Sequence, residues 1–134
     1  MANLLDDTAA GARARLDLSL SRRGQTCTLQ RVVAGVTRTV SLQALIRDYK
    51  PDELLGGNGL QTGDSHAVIS ITEINAAEWP SAALLAETAA GDARIPIKGD
   101  RLVTSNGRVR VVQAAWPASY IDGELIRIEM TIGK

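Results

Sequence analysis

Apolar residues recur at helical spacing near the start of the chain and at every second position in several short runs thereafter. Leu5, Ala9, Ala12, Leu16 and Leu20 follow steps of four, three, four and four, which puts them on one face of a helix over residues 3–22. Asp6 and Asp7 in its first turns and Arg22 and Arg23 at its end complement the helix dipole, and Gly24 marks its stop. Gly11 in its interior costs about 1 kcal/mol relative to Ala, so this helix is expected to lean on something.

Strict alternation begins at Gln25. It predicts a strand over 25–33 with Cys27, Leu29 and Val33 on one face, and a second over 39–48 carrying Val40, Leu42, Ala44 and Ile46. Ala34-Gly35 turns between them, and Lys50-Pro51 ends the second. Ala67, Ile69 and Ile71 mark a strand over 66–74. Two more, at 101–104 and 108–115, flank Asn106-Gly107, a strong hairpin signal. After a turn at 118–123 the last strand runs over 124–132. The predicted inward face comprises Val40, Leu42, Ile46, Ile69, Ile71, Val109, Val111, Ile126, Ile128 and Met130.

Two segments break the pattern. Residues 50–64 hold Gly56, Gly57, Gly59 and Gly63 together with Leu54, Leu55 and Leu60, an apolar-tipped loop of a kind that in a compact domain is either functional or disordered. Residues 75–98 contain Trp79-Pro80 and an Ala-rich stretch read as a short helix over 81–90, capped by Ser81. The expected architecture is a single domain over 1–134, mainly β. It has a helical extension over 1–24 and a small antiparallel barrel of about six strands over 25–134, with one short inserted helix. Closure of such strands removes sticky edges.

Composition sharpens this. Hydrophobic residues make up 45% of the 134 but aromatics only 3%, with no Phe, so Val, Ile, Leu and Ala must build the core. Fifteen cationic side chains balance fifteen carboxylates, which argues against a protein held to nucleic acid by phosphate neutralisation. Cys27 has no partner for an intramolecular disulfide and reads as a small buried hydrophobe. No run is long enough to span a bilayer, and the N-terminus does not read as a secretory signal. The expected setting is cytosolic, with no membrane contact.

Candidate chemistry is sparse. Asp64-Ser65-His66 imitates a triad, but neighbours on a strand face opposite sides and cannot converge, so His66 reads as an exposed strand-end histidine. One Cys and one His cannot supply a zinc site, and Asp48, Asp64 and Asp100 read as turn formers rather than ligands of a hard cation. The glycines of LLGGNG lack the Lys-Ser/Thr of a phosphate-binding loop. No basic, aromatic-studded strand face is legible. Trp79 and Trp116, each followed by Pro, read as packing beneath loops, with an interface anchor as the alternative. These readings predict no catalytic residue, no metal and no cofactor.

The stretch VTRTVSLQALIRDYKPDELLGGNGLQTGD, followed by SHAVISITEI and later by KGDRLV and a strand running into Gly133, resembles the head-tail joining (head-closure, connector) proteins of bacteriophages and prophages. The likeness covers most of the chain from about Gln25. It implies a virion structural protein, not an enzyme, made in the host cytoplasm. Its partners would be copies of itself in a hexameric ring, a portal or adaptor protein above and a tail protein below, with non-specific contact to DNA in the lumen. Carried onto this chain, the loop bearing Tyr49, Glu53, Leu54, Leu55 and Leu60 would touch a neighbouring subunit or the lumen. Arg13, Arg15, Arg22 and Arg23 would offer a helix interface. The alternatives are a tail terminator or minor tail protein, or a small-barrel module that binds nucleic acid or peptide.

Overall fold

A computed structural model of the chain describes residues 8–49, 63–81 and 92–133. Thr8 opens the helix α1 (Ala9–Arg23) by accepting the Gly11 N–H at 3.0 Å. Strands β1 (Gln25–Val33), β2 (Val36–Asp48) and β3 (Ser65–Ser70) follow, then the short helix α2 (Ile71–Ala77). The order ends with β4 (Arg101–Val103), β5 (Val109–Ile121) and β6 (Glu124–Gly133). The described strands pair antiparallel and close a barrel in the order β1-β2-β3-β6-β5-β4.

Alternation builds this barrel by sending every second side chain inward. Leu29, Leu42, Ala44, Ile69, Leu102, Val112, Ile128, Met130 and Ile132 meet in one buried cluster. Each buried Leu or Ile contributes roughly 1.5–3 kcal/mol. Helix α2 closes one end, adding Ile71 and Ile74 to the same cluster, with Trp79 just beyond. Helix α1 lies across the outer side of β2, β3 and β6, where Val68 and Ile126 are buried with Leu20 and Ala9. Two links hold the helices together and to the barrel: Thr72 Oγ1 donates to Asp17 Oδ2 at 2.6 Å, and Gln43 N–H donates to Glu73 Oε2 at 2.8 Å.

The mainly β fold and the closed six-strand barrel with its leading helix are as the pattern predicts. Several details differ, each for a physical reason. The strand expected over 66–74 stops at Ser70, whose hydroxyl caps α2, so Ile71 and Ile74 reach the core from a helix. The helix expected over 81–90 falls almost wholly outside the described residues. On β5 the phase is reversed: Arg110 and Val112 are buried, whereas Val109 is exposed and Val111 lies outside the core cluster. Near Ile126 the register slips, so Leu125 enters the core and Ile126 packs on the outer side. The turn expected over 118–123 is strand as far as Ile121, with only Asp122-Gly123 turning. Pro117 is tolerated there because β4 does not reach it and its edge needs no N–H.

Gly24 ends α1 with an extended backbone, not a left-handed one. Its N–H donates to Leu20 O at 2.8 Å, and a Cβ would sit 2.6 Å from that oxygen and 2.8 Å from Ala44 O. The crossing from α1 to β1 therefore requires glycine for space. Gly24→Ala is expected to destabilise the fold by about 1–3 kcal/mol, read by chemical denaturation. An unchanged midpoint would show that the crossing relaxes freely.

Burial pushes the Cys27 thiol up from 9.0 to about 11. A raised pKa means the folded state holds the proton more tightly. Its stabilising contribution is thus complete below about pH 9 and is lost as pH rises toward 11, up to about 3 kcal/mol. Denaturation of the wild type and Cys27→Ala at pH 8 and pH 10.5 should show a steeper alkaline loss in the wild type. Parallel losses would place the thiol in a solvated site.

Candidate assembly surfaces

The chain between β2 and β3 leaves and re-enters the barrel at a built polar root. Arg110, buried on β5, donates from Nε to Gly133 O at 3.0 Å, and from Nη2 to Gly63 O at 2.9 Å and Ser65 Oγ at 3.0 Å. Ser65 Oγ in turn donates to Asp48 Oδ1 at 2.8 Å, so the last residue of β2 and the first of β3 are tied together. Burial, and then the nearby Arg108, draw the Arg110 pKa down, against Asp48 and Asp64, which push it up. A guanidinium so placed still carries its charge at neutral pH.

The register shift at Gln113 turns its amide over Gly133, where it donates to the buried Asp64 at 3.2 Å. Any Cβ at Gly133 would collide with that amide. The root thus draws on β2, β3, β5 and β6 together.

Tyr49 stands at the same root, on the outer side. Its hydroxyl pairs with Thr131 Oγ1 at 2.8 Å, and its ring meets His66 edge-on at 6.0 Å. His66 is half-buried, not exposed as expected: Glu129 Oε1 lies 2.7 Å from its Nε2. Trp116 follows at 6.1 Å from the imidazole, and Arg47 covers the Tyr49 ring. Arg127 Nε sits 3.1 Å from Glu129 Oε2, an ion pair without hydrogen-bond alignment. Four strands thus gather an aromatic and charged outer face that no linear run of the sequence displays.

Trp79 and Trp116 divide the expectation made for them. Trp79 is buried and donates to Arg38 O at 3.1 Å, whereas Trp116 is exposed on β5. Arg31 lies over the Trp79 ring at 4.6 Å and grips both carboxylate oxygens of the buried Asp100. It also donates to Ala93 O and Ile95 O. Asp92, its carboxyl held low chiefly by hydrogen bonds from Arg94, continues this anchorage, and Arg94 reaches Asn75 Oδ1 at 2.9 Å. The chain before β4 is thereby fastened to β1 and α2.

Of the loop residues singled out from the sequence, Tyr49 is placed and Glu53, Leu54, Leu55 and Leu60 lie outside the described residues. The four helix arginines do not form one patch. Arg15 lines a groove of about 480 Å³ between α1 and the β5–β6 hairpin, Arg13 is half-buried, and Arg22 and Arg23 are exposed on the last turn. Ser65 and His66 face opposite sides of β3: one points to Asp48 and Arg110, the other to Glu129. Arg110 and Arg31 were missed because each sits in a polar-looking position of its strand. The available signal was a buried phase set by Val112 and Leu29.

Arg110→Met should cost about 3 kcal/mol, since it removes the donor shared by the carbonyls of Gly63, Ile132 and Gly133 in a buried site. The loss should be accompanied by faster amide exchange at residues 63–65 and 132–133. A variant as stable as the wild type would show that water replaces the guanidinium at no cost.

No protein-family model, curated protein or solved structure matches the chain.

Proposed function

We propose that this chain is a virion structural protein, a ring subunit of the neck that joins a bacteriophage head to its tail and extends or closes the DNA channel. The observation that carries this reading is the root at Arg110: both ends of the segment between β2 and β3 are pinned to a rigid barrel by a buried guanidinium. A barrel that fixes the residues on either side of a leucine-bearing stretch so firmly holds its two feet at a set spacing, which suits repeated subunit contacts. In this reading the chain performs no catalysis. Copies of itself form the ring, a portal or adaptor ring lies above, and a tail protein lies below.

A second reading rests on the outer face of Arg47, Tyr49, His66 and Trp116, three rings of which stand in sequence across the strands. Such a face suits stacking of single-stranded nucleic acid on a small barrel. Glu129 at its centre and the balanced overall charge weigh against it.

Deleting residues 53–60 separates the two. The neck reading expects the deletant barrel to melt as the wild type does, while the particles formed are filled heads that lack tails or leak DNA. Normal tailed particles from the deletant would sink it. Tight binding of single-stranded nucleic acid by the purified monomer, with quenching of Trp116, would transfer the function to the second reading.

A further inference from the structure

β4 pairs only with Thr28–Gln30 of β1 and with Val109–Val111 of β5. Both neighbouring hairpins run on past it. β1 and β2 continue to a turn at Ala34-Gly35, and β5 and β6 continue to a turn at Asp122-Gly123. In the closed order β1-β2-β3-β6-β5-β4 these two hairpins occupy opposite flanks, separated by one strand on either side. Strand directions bring both turns to the same end of the barrel, the end that α2 closes.

The two arms share an apolar character. Val32 is 68% exposed and Val36 50%, with Ile97 beside that arm at 57%, and on the other arm Tyr120 is 50% and Trp116 38% exposed. Their charges are opposite. Among the described residues the first flank exposes Arg38, Lys98 and Arg101 against the carboxylate of Glu78, whereas the second exposes Asp122 and Glu124 at its tip, with Arg127 behind them paired to Glu129. Arg31 adds nothing to this balance, because Asp100 neutralises it.

We propose that the β1–β2 arm of one copy docks on the β5–β6 arm of the next copy of this chain. The patches are different surfaces of one molecule, so the contact is heterologous and repeats from copy to copy, closing into a ring when the rotation allows. Val36, which shares a face of its arm with Arg38, meets the Tyr120 tip while opposite charges set the register and disfavour like-to-like pairing. This contact deepens the ring reading above and rests on it.

The test reverses each pole separately in the full chain. One variant carries Arg38→Glu and Lys98→Glu. The other carries Asp122→Asn and Glu124→Lys, Asn being chosen because residue 122 has a φ of 52°. Sedimentation of the wild type should show concentration-dependent rings. Each variant alone should need about a hundredfold or more higher concentration to assemble, while an equal mixture of the two restores rings of alternating copies. Tyr120→Ser, which leaves both charged poles unaltered, should also weaken assembly.

A wild type that stays monomeric at its highest soluble concentration overturns the proposal. So does a variant that still forms rings, or a mixture that does not recover. Rings that survive every variant, beside tailless heads from the 53–60 deletion, would remove this contact and keep the neck reading. Rings that recover in the mixture, beside normal particles from that deletion, would keep the contact and remove the neck reading.

Discussion

Closure of this barrel hangs on a strand of three residues. Arg101–Val103 bridges β1 and β5, and without it both would be open edges of a curled sheet. So short a strand contributes few ladder bonds, and its position is set from outside by the Arg31–Asp100 pair. The pair is almost fully removed from water and bidentate, and Asp100 also accepts the Ile97 N–H at 2.9 Å. A buried ion pair of this kind gains little net stability over an apolar substitute, but it fixes geometry, since the carboxylate and fork meet in one arrangement. Backbone bonds from Val112 N–H to Asp100 O at 2.7 Å and from Gly99 N–H to Val112 O at 2.9 Å then hand the position on to β5.

The brevity of β4 also explains the outline of the molecule. Where it ends, β1 and β5 lose a neighbour, and their hairpins continue as two-stranded arms with apolar side chains in solvent. At the opposite end the barrel has the reverse problem. There the carbonyls of Gly63, Ile132 and Gly133 and the hydroxyl of Ser65 converge, and Arg110 donates to all four. Two arginines thus organise the two ends, Arg31 toward the end that α2 closes and Arg110 at the root between β2 and β3. The interior between them is aliphatic, as a chain without Phe must make it.

Much of the architecture was legible because alternation survives in β1, β2 and β3 without interruption. The predicted bounds of β1 coincide with those observed, and Cys27, Leu29, Val40, Leu42 and Ala44 all face inward. Legibility failed where the ladder slips. The shifts around Gln113, Ala118 and Ile126 break the period of two, so β5 reads as shorter than it is and β6 exchanges Leu125 for Ile126 in the core. It failed again at α2, where Ser70-Ile71-Thr72-Glu73 carries a capping signature that an apolar alternating run obscured. The candidate surfaces were less legible still. His66, Glu129, Trp116 and Tyr49 are distant in sequence and meet only through strand register, and the burial of Arg110 follows from backbone carbonyls that no residue type announces.

The central proposal is one of place, that the chain sits in the neck of a tailed particle. Immunogold electron microscopy of tailed particles from cells that make the chain tests this most directly, using antibody raised against the purified protein. The account predicts gold at the junction of head and tail, in a ring of repeated copies. Gold absent from every particle, with the chain left in the soluble lysate, would contradict it.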